Sequence, residues 1–213
     1  IDDIEIIYIE DFMNSNNKLK LLDNSIIYFL CNSYLIKDIL DLSERVNYYI
    51  FNKNFFKNNY TKLEMQKQLI KNDLTIPKLF DCKNFKKLNY PIFCKENKHA
   101  GIVFKAYTYN TLIIFFEKFN SEEFYLEEAL EERKELKYYY VKDKAFCKEN
   151  NIPEKIVNYC NSISKVLNIE IFSVDIMKKD NSYIIIDVNP AAGFYKLDEA
   201  RNKLIYEIEK LRG

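Results

Sequence analysis

The sequence predicts an α+β fold in which β-hairpins lie beside amphipathic helices. Two runs rich in β-branched residues, IEIFSVDIM and YIIIDVN, flank the turn-like segment KKDNS, a pattern typical of a β-hairpin. The stretches TKLEMQKQLIKNDLTIP and LDEARNKLIYEIEKL instead carry apolar residues at helical intervals. With 213 residues, the chain is long enough for one large domain or for two or three small lobes around a cleft.

The N-terminal residues 1–58 predict a small α/β unit. Its strand candidates are IEIIYI, SIIYFLC and NYYIF, and a helical stretch, YLIKDILDLSERV, lies between the second and the third. An amphipathic helix follows from Thr61, with Leu63, Leu69 and Ile70 as its apolar positions and Pro77 beyond its end.

The rest of the chain alternates strand and helix candidates. The short strands YPIFCK and GIVFKAY flank the loop ENKHA, TLIIFFEKF has helical spacing, and EEFYLEEAL predicts a strand that leads into a connecting segment. After it, ELKYYYVKDKAF predicts two strands about a turn at Lys142 and Asp143, and Pro153 opens a helix that reaches Leu167.

Composition excludes several classes of function. The 32 basic and 32 acidic residues balance, so the chain lacks the basic surplus of a nucleic-acid binder, and an anionic ligand must be met by local charges. Five scattered cysteines without a CxxC pair argue against a disulfide framework and a zinc site, which favours reduced thiols in a cytoplasmic protein. The apolar run SIIYFLCNSYLIKDIL is interrupted at Asn32 and Lys37, so we expect no membrane span, and no signal peptide or anchor is predicted.

The predicted C-terminal hairpin brings acidic residues together. Symmetric pairing about Asn181 places Asp175 directly across from Asp187, although a register slipped by one residue is an alternative. Asp187 and Asn189 point to the same face, because side chains alternate along a strand. Facing like charges destabilise a ladder by up to about 1 kcal/mol, and a bound cation such as Mg²⁺ removes that cost. The alternative is that the acids simply end in solvent.

Two lysines lie at the ends of predicted elements. Lys62 opens the amphipathic helix and Lys95 ends the strand YPIFCK, so both are candidates to bind phosphate as point charges, although solvated surface lysines are the alternative for either one. The loop between residues 96 and 101 has a single glycine, and the patterns GxxxxGK[ST] and GxGxxG are absent from the sequence.

The acidic segment LEEALEERKELK is a candidate to bind a nucleoside. Backbone donors and acceptors between Glu127 and Leu130 suit an adenine, and the carboxylate of Glu135 suits a ribose. A charged surface linker is the alternative interpretation.

Taken in order, these motifs resemble the ATP-grasp superfamily, within it the branch of ribosomal-protein glutamate ligases and D-alanine:D-alanine ligases. The resemblance covers about residues 46–211 and implies two α/β lobes that sandwich ATP, preceded by a truncated α/β unit. The quoted motifs are TKLEMQKQLIKNDLTIP, YPIFCK, YLEEAL, ELKYYYV, SVDIM and IIIDVNPAAGF. The predicted divisions are 1–58 for the reduced N-terminal unit, 59–128 for the first lobe and 129–213 for the second lobe with the metal site.

The resemblance also implies the roles of individual residues. The lysines Lys62 and Lys95 correspond to phosphate ligands, and Lys137 corresponds to the basic residue that faces the reacting phosphate. Gly193 would let the backbone approach the reacting acyl centre, where a Cβ atom would crowd it. The remaining positions are Glu127, Glu128, Ala129 and Leu130 for adenine, Glu135 for ribose, and Asp175, Asp187 and Asn189 for two Mg²⁺ ions.

Three departures from the family pattern stand out. Asp187 occupies the usual position of a glutamate, one methylene longer, and Lys137 replaces an arginine and so loses a bidentate grip on a phosphoryl group. The unit ahead of the ATP-binding core is also short, so the sequence constrains the choice of substrate poorly.

The implied activity is an ATP-dependent carboxylate–amine ligase that forms an amide or peptide bond through an acyl phosphate. Its substrates would be amino acids or peptides, and a homodimer or a partner subunit would complete the substrate pocket. Two alternatives remain open at this point: a small-molecule kinase on the same fold, and a non-catalytic ATP-binding regulatory or partner module.

Overall fold

The structure is a computed structural model, and it describes residues 7–30, 35–45, 47–82, 85–99, 101–130, 135–149, 151–179, 182–194 and 197–212. Within these residues the strands form one two-stranded sheet and two four-stranded sheets. None of the helices in this part of the chain combines the length and the apolar character needed to cross a bilayer.

The described residues of the N-terminal segment form four short helices and a parallel pair of strands, in which Ser25 faces Tyr48. Its elements are α1 (Ile9–Asn14), α2 (Lys18–Leu22), β1 (Ser25–Ile27), α3 (Ile36–Ser43), β2 (Tyr48–Ile50) and α4 (Lys53–Asn58).

The predicted first strand, IEIIYI, is wrong where the structure describes it. Residues 4–6 lie outside the described part, Ile7 and Tyr8 belong to no strand, and α1 begins at Ile9. The reason is the spacing of Ile9, Phe12 and Met13, which is that of a helix face and directs all three into the main core.

The first four-stranded sheet has the order β3–β6–β4–β5, with antiparallel neighbours. Its core lies against α6, where Leu112 and Phe115 pack with Ile92, Cys94 and Leu126. The strand residues between these core positions therefore point to the opposite face of the sheet. The elements of this part are α5 (Lys62–Lys71), β3 (Leu79–Phe80), β4 (Ile92–Glu96), β5 (Val103–Ala106), α6 (Tyr109–Phe116) and β6 (Phe124–Glu128).

The second four-stranded sheet has the order β10–β9–β7–β8 and is also antiparallel. The buried face of α7 packs with Val174 and Ile176 of β9, so the residue between them, Asp175, lies on the opposite face of the sheet. The elements are β7 (Glu135–Val141), β8 (Lys144–Phe146), α7 (Glu154–Leu167), β9 (Ile171–Lys179), β10 (Ser182–Asn189) and α8 (Asp198–Arg212).

Helix α5 has the predicted position but a different buried face. Met65, Gln66 and Leu69 are buried, whereas Ile70, an expected core position, is 46% exposed. Met65 and Leu69 join the core that α7 forms behind the second sheet. The helix therefore connects the strands of the first sheet to the core of the second.

Asn52 joins three distant parts of the chain. It is 3% exposed and has a left-handed backbone with φ 60° at the start of α4. Its Nδ2 donates to the carbonyls of Ile171 and Pro190, the latter at 2.8 Å. Its Oδ1 accepts from the N–H groups of Glu170 at 2.7 Å and Ile171 at 3.0 Å. One side chain thus fixes α4, the start of β9 and the end of β10 relative to each other.

We expect Asn52→Ala to lower the free energy of unfolding by about 3–5 kcal/mol, because it leaves buried backbone groups unsatisfied and replaces asparagine, which tolerates a left-handed backbone, with alanine, which does so poorly. The control is Asn59→Ala, since Asn59 also has a positive φ, 50°, at an exposed position. That control should cost only about 1–2 kcal/mol. Urea unfolding monitored by circular dichroism measures both; equal losses for the two variants would contradict the role assigned to Asn52.

Candidate functional site

Asp175 and Asp187 face each other across β9 and β10. The outer part of the hairpin pairs Ser182 with Lys179 and Ile185 with Ile176, and a bulge between Ile185 and Asp187 then shifts the register by one residue. The prediction that the two acids face each other is confirmed. Symmetric pairing about residue 181, which lies outside the described residues, is wrong for the outer half, where the slipped register holds.

Lys137 lies on the other side of Asp175. The register of β7 and β9 makes the two residues direct partners, with Lys137 Nζ 3.0 Å from Asp175 Oδ2 and 2.9 Å from Oδ1. Burial raises the pKa of Asp175, so its anionic form is costly without a nearby cation. Burial alone would lower the pKa of Lys137, but its hydrogen bond to Asp175 raises it.

Lys62 reaches Asp187 from the N-terminus of α5. Its ammonium forms an ion pair with Asp187 and lies 3.3 Å from the carbonyl of Val188. Two local features position the lysine: a capping box in which Thr61 begins the helix, and Asn97 of the β4–β5 loop, whose Oδ1 accepts from the N–H of Leu63 at 2.8 Å. The four charges therefore form one row, which we call the charged row: Lys137, Asp175, Asp187 and Lys62.

Lys95 and Glu127 form a third ion pair, on the face of the first sheet that points away from α6. Glu127 is 1% exposed, and its Oε2 accepts no hydrogen bond from any described residue. Burial raises the pKa of Glu127, Lys95 opposes that rise, and the charge of Asp187 adds to it. The charge of Asp187, on β10 of the second sheet, thus disfavours ionisation of Glu127 on the first sheet.

The predicted adenine segment has only part of its backbone available. Glu127 and Glu128 belong to β6, whose neighbours are β3 and β4, and the N–H of Glu128 donates to the carbonyl of Lys78 at 2.8 Å. The segment directly after the strand consists of Ala129 and Leu130, both half-buried. Because a backbone group in a sheet ladder is already satisfied, the expectation for the N–H of Glu128 is corrected, and Ala129 and Leu130 remain the candidates.

The other predicted residues lie around the charged row. Glu135 is on β7, and burial raises its pKa, with the charge of Asp175 adding to the rise. Asn189 faces Ser173, two residues beyond Asp187, and its Oδ1 accepts from the N–H of Ala191 at 3.0 Å. Gly193 follows β10 without a positive φ, so a left-handed backbone is not the reason for glycine there.

Two further polar groups at the site, the buried Tyr125 and the buried Nε2 of His99, were not identified from the sequence. Tyr125 is hydrogen-bonded to Gln66, and burial raises its pKa, with the charges of Glu127 and Asp187 adding to the rise. His99 lies on the β4–β5 loop, and its buried Nε2 has no hydrogen-bond partner among the described residues. The alternation of β6 could have indicated Tyr125, two residues before Glu127, but no local pattern indicates His99.

The donors at the charged row fit a hard divalent cation. Asp175 and Asp187 supply facing carboxylates and Asn189 supplies an amide oxygen, whereas no three His, Cys, Asp or Glu side chains converge within the described part of the chain. The buried Oδ1 of Asp175 accepts no directional hydrogen bond there, because Lys137 donates to Oδ2. Lys62 and Lys137 at present supply the positive charge that the two acids require.

His99 should titrate far below an ordinary histidine. Burial and then the charge of Lys62 lower its pKa to about 4. Because His99 is the sole histidine, its imidazole gives a single Cε1–H NMR signal, and we expect its titration midpoint between about pH 4 and 5. As pH falls below about 6.5, the unfolded state takes up this proton first, so His99 should lower stability by up to about 3 kcal/mol by pH 4.

The control is His99→Gln, which should remove that part of the pH dependence. A midpoint near pH 6.5 in the parent protein would contradict the buried, neutral imidazole.

Comparisons with known proteins give structural matches only. No protein-family model matches the chain, and no curated protein matches its sequence. The chain is similar in structure to D-alanine–D-alanine ligase from Bacillus anthracis, with a TM-score of 0.69 and 16% identity over 92% of this chain and 83% of that one. It is also similar to N5-carboxyaminoimidazole ribonucleotide synthetase from Thermotoga maritima, with a TM-score of 0.63 and 19% identity over 84% and 54% of the two chains.

A further match is the ATP-grasp ligase PsnB in a complex with its minimal precursor, Mg and ADP, with a TM-score of 0.62 and 16% identity over 82% of this chain and 68% of that one. The chain spans 63% and 61% of the length of two other PsnB structures. At these identities the likeness establishes the fold alone. The chain has the ATP-grasp fold, as the resemblance of its motifs predicted.

Proposed function

We propose that the chain binds ATP with Mg²⁺ and uses it to join a carboxylate to an amine. The observation that carries this proposal is the charged row, in which two facing acids are flanked by Lys62 and Lys137. Phosphate oxygens would complement the charge of the two lysines, and a divalent cation would complement the charge of the two acids. The fold supports the proposal, because structures that share it were solved with ATP for a D-alanine–D-alanine ligase and with AMPPNP for PsnB.

The nucleotide would lie between the two four-stranded sheets. In this arrangement Lys62 and Lys95 bind the phosphates, the backbone of Ala129 and Leu130 receives the adenine, and Glu135 binds the ribose. The proposed organisation keeps residues 1–58, 59–128 and 129–213 as its three parts, with α5 contributing its buried face to the core behind the second sheet.

Asp175, Asp187 and Asn189 would hold Mg²⁺, two ions in the full arrangement. Bound there, Mg²⁺ neutralises phosphate charge and polarises phosphoryl oxygens. Each lysine of the charged row, Lys62 and Lys137, would then exchange its contact with an acid for a contact with a phosphate oxygen. Because the acids gain the metal as the lysines gain the phosphates, no charge of the row is left unpaired.

Lys137 would act on the reacting group. An oxygen of the substrate carboxylate attacks the γ-phosphorus and ADP leaves. The amine then attacks the carbonyl carbon of the acyl phosphate, phosphate leaves with the bonding electrons, and the proton lost by the amine passes to solvent. Phosphoryl transfer requires positioning and charge neutralisation more than covalent chemistry by the protein. Lys137 supplies such a charge, and Gly193 would leave room for the acyl centre.

The proposed substrates are a small-molecule or peptide carboxylate and an amine. The carboxylate would approach beside Lys137, and a second subunit would complete this pocket. The described cysteines Cys82, Cys94, Cys147 and Cys160 are free thiols, which supports a reducing compartment such as the cytoplasm.

We expect saturating MgATP to raise the melting temperature by about 5–10 °C, because ligand at about 100 times its Kd stabilises a protein by about 2.7 kcal/mol. Asp187→Ala should remove most of that shift, since it removes a proposed metal ligand. The matched control is Asp198→Ala, which removes an exposed acid from α8 and should leave the shift intact. Differential scanning fluorimetry measures all three proteins; no shift in the parent would refute the ATP site.

We expect Lys137→Ala to lower ADP release about 100-fold or more while MgATP still raises the melting temperature, because the lost charge acts mainly on the reacting group. Lys144→Ala, on the exposed edge strand β8 of the same sheet, is the control. The assay screens amino acids and peptides for ADP release and identifies the product by mass. An amide product supports the ligase, a phosphorylated alcohol establishes a kinase instead, and MgATP binding without turnover on any substrate points to a non-catalytic module.

A further inference from the structure

We propose that Tyr28 is a positioning residue for the metal end of the site and that it acts through the backbone of Ala192. Tyr28 lies directly after β1 in the N-terminal segment, far in sequence from the residues of the site. The inference rests on the proposed function, and it assigns to the N-terminal segment a part in holding the metal ligand Asn189.

The first contact is a part-buried hydrogen bond between residues 164 positions apart in the sequence. The hydroxyl of Tyr28 donates to the carbonyl of Ala192 at 2.5 Å. The Tyr28 ring packs against Phe51 and Phe194, with ring centroids 6.3 Å and 6.1 Å apart. Burial raises the pKa of Tyr28, which keeps the hydroxyl protonated as a donor. The ring is thus held by aromatic contacts while the hydroxyl fixes one backbone oxygen.

The second contact comes from Asn52. Its Nδ2 holds the carbonyl of Pro190 at 2.8 Å, two residues before the carbonyl that Tyr28 holds. Between these two anchors, the N–H of Ala191 donates to Oδ1 of Asn189 at 3.0 Å. We call residues 189–192 the anchored turn. Its two outer anchors come from the N-terminal segment, and its inner hydrogen bond fixes the side chain of Asn189.

The geometry of the anchored turn matters for metal binding. Mg²⁺ requires a nearly ideal octahedral arrangement of oxygens at about 2.0–2.1 Å, so a ligand that moves by a few tenths of an ångström binds it poorly. If the carbonyl of Ala192 loses its donor, the N–H of Ala191 and with it the amide of Asn189 lose part of their support. The phosphate lysines lie on other elements and are not affected directly.

Tyr49→Phe is a matched control for Tyr28→Phe. Tyr49 is on β2, and its ring also packs edge-on against Phe51, with centroids 5.1 Å apart. Its hydroxyl donates to the Glu170 carboxylate at 3.0 Å and accepts from Lys142 at 3.0 Å. These partners lie next to β9 and β7, outside the anchored turn. Both substitutions remove one hydroxyl and keep the ring.

The experiment measures AMPPNP binding by calorimetry over a series of MgCl₂ concentrations and in EDTA. Tyr28→Phe should raise the Mg²⁺ concentration for half-maximal tight binding about fivefold, and it should leave the affinity in EDTA unchanged. Tyr49→Phe should behave as the parent does. A Tyr28→Phe protein with the Mg²⁺ dependence of the parent, or an equal change in both variants, overturns the inference. A parent protein that does not bind Mg²⁺–AMPPNP overturns the proposed function and this inference together.

A second measurement needs no variant. Coupling between two sites is reciprocal, so metal binding at Asn189 must in turn stabilise the Tyr28 contact. Hydrogen–deuterium exchange of the parent should show slower exchange in peptides covering residues 25–30 and 189–194 with Mg²⁺–AMPPNP than with AMPPNP in EDTA. Slower exchange in 189–194 alone would overturn the role of Tyr28, and it would leave the proposed metal site standing.

Discussion

The repulsion between Asp175 and Asp187 is the constraint on which the site depends. The bulge in β10 places these carboxylates directly opposite each other, where like charges destabilise a sheet. Burial raises the pKa of Asp175 and adds to the cost of its charged form. A lysine on each side offsets this cost: Lys137 comes from the neighbouring strand and Lys62 from α5.

The same charges tie distant parts of the chain to the second sheet. Lys62 belongs to a helix whose first turn is also held by Asn97 of the β4–β5 loop, so its ion pair with Asp187 joins that loop to β10. Asn52 and Tyr28 reach the backbone just beyond β10 from the N-terminal segment. The end of β10 is thus the point at which contacts from several separate segments meet, and the residues proposed to bind metal lie beside it.

The sequence predicted the regular elements better than their pairing. Both hairpins of the second sheet and the helices α7 and α8 follow from periodicity, which depends only on local spacing. The bulge at residue 186 could not be predicted, because the three consecutive isoleucines at 184–186 place an apolar side chain on the buried face in either register. The strand expected at IEIIYI was wrong because apolar residues at positions 9, 12 and 13 support a helix once a core is present to receive them.

At the site, the sequence predicted that the two acids would face each other, but it did not predict the ion pairs. The contact between Asp175 and Asp187 could be predicted from the pairing of one hairpin. The ion pair of Lys95 with Glu127 depends instead on how β4 pairs with β6. His99 was missed because its environment arises from contacts of a loop with Phe55 and the backbone of Tyr60, which no local pattern encodes.

The most direct test of the proposed metal and phosphate site is a crystal structure of the chain with Mg²⁺ and AMPPNP. In that structure we expect Lys62 and Lys137 to leave Asp187 and Asp175 and to contact phosphate oxygens, while the two acids and Asn189 contact metal. Lysines that remain on their acids, with the nucleotide bound elsewhere, would contradict it.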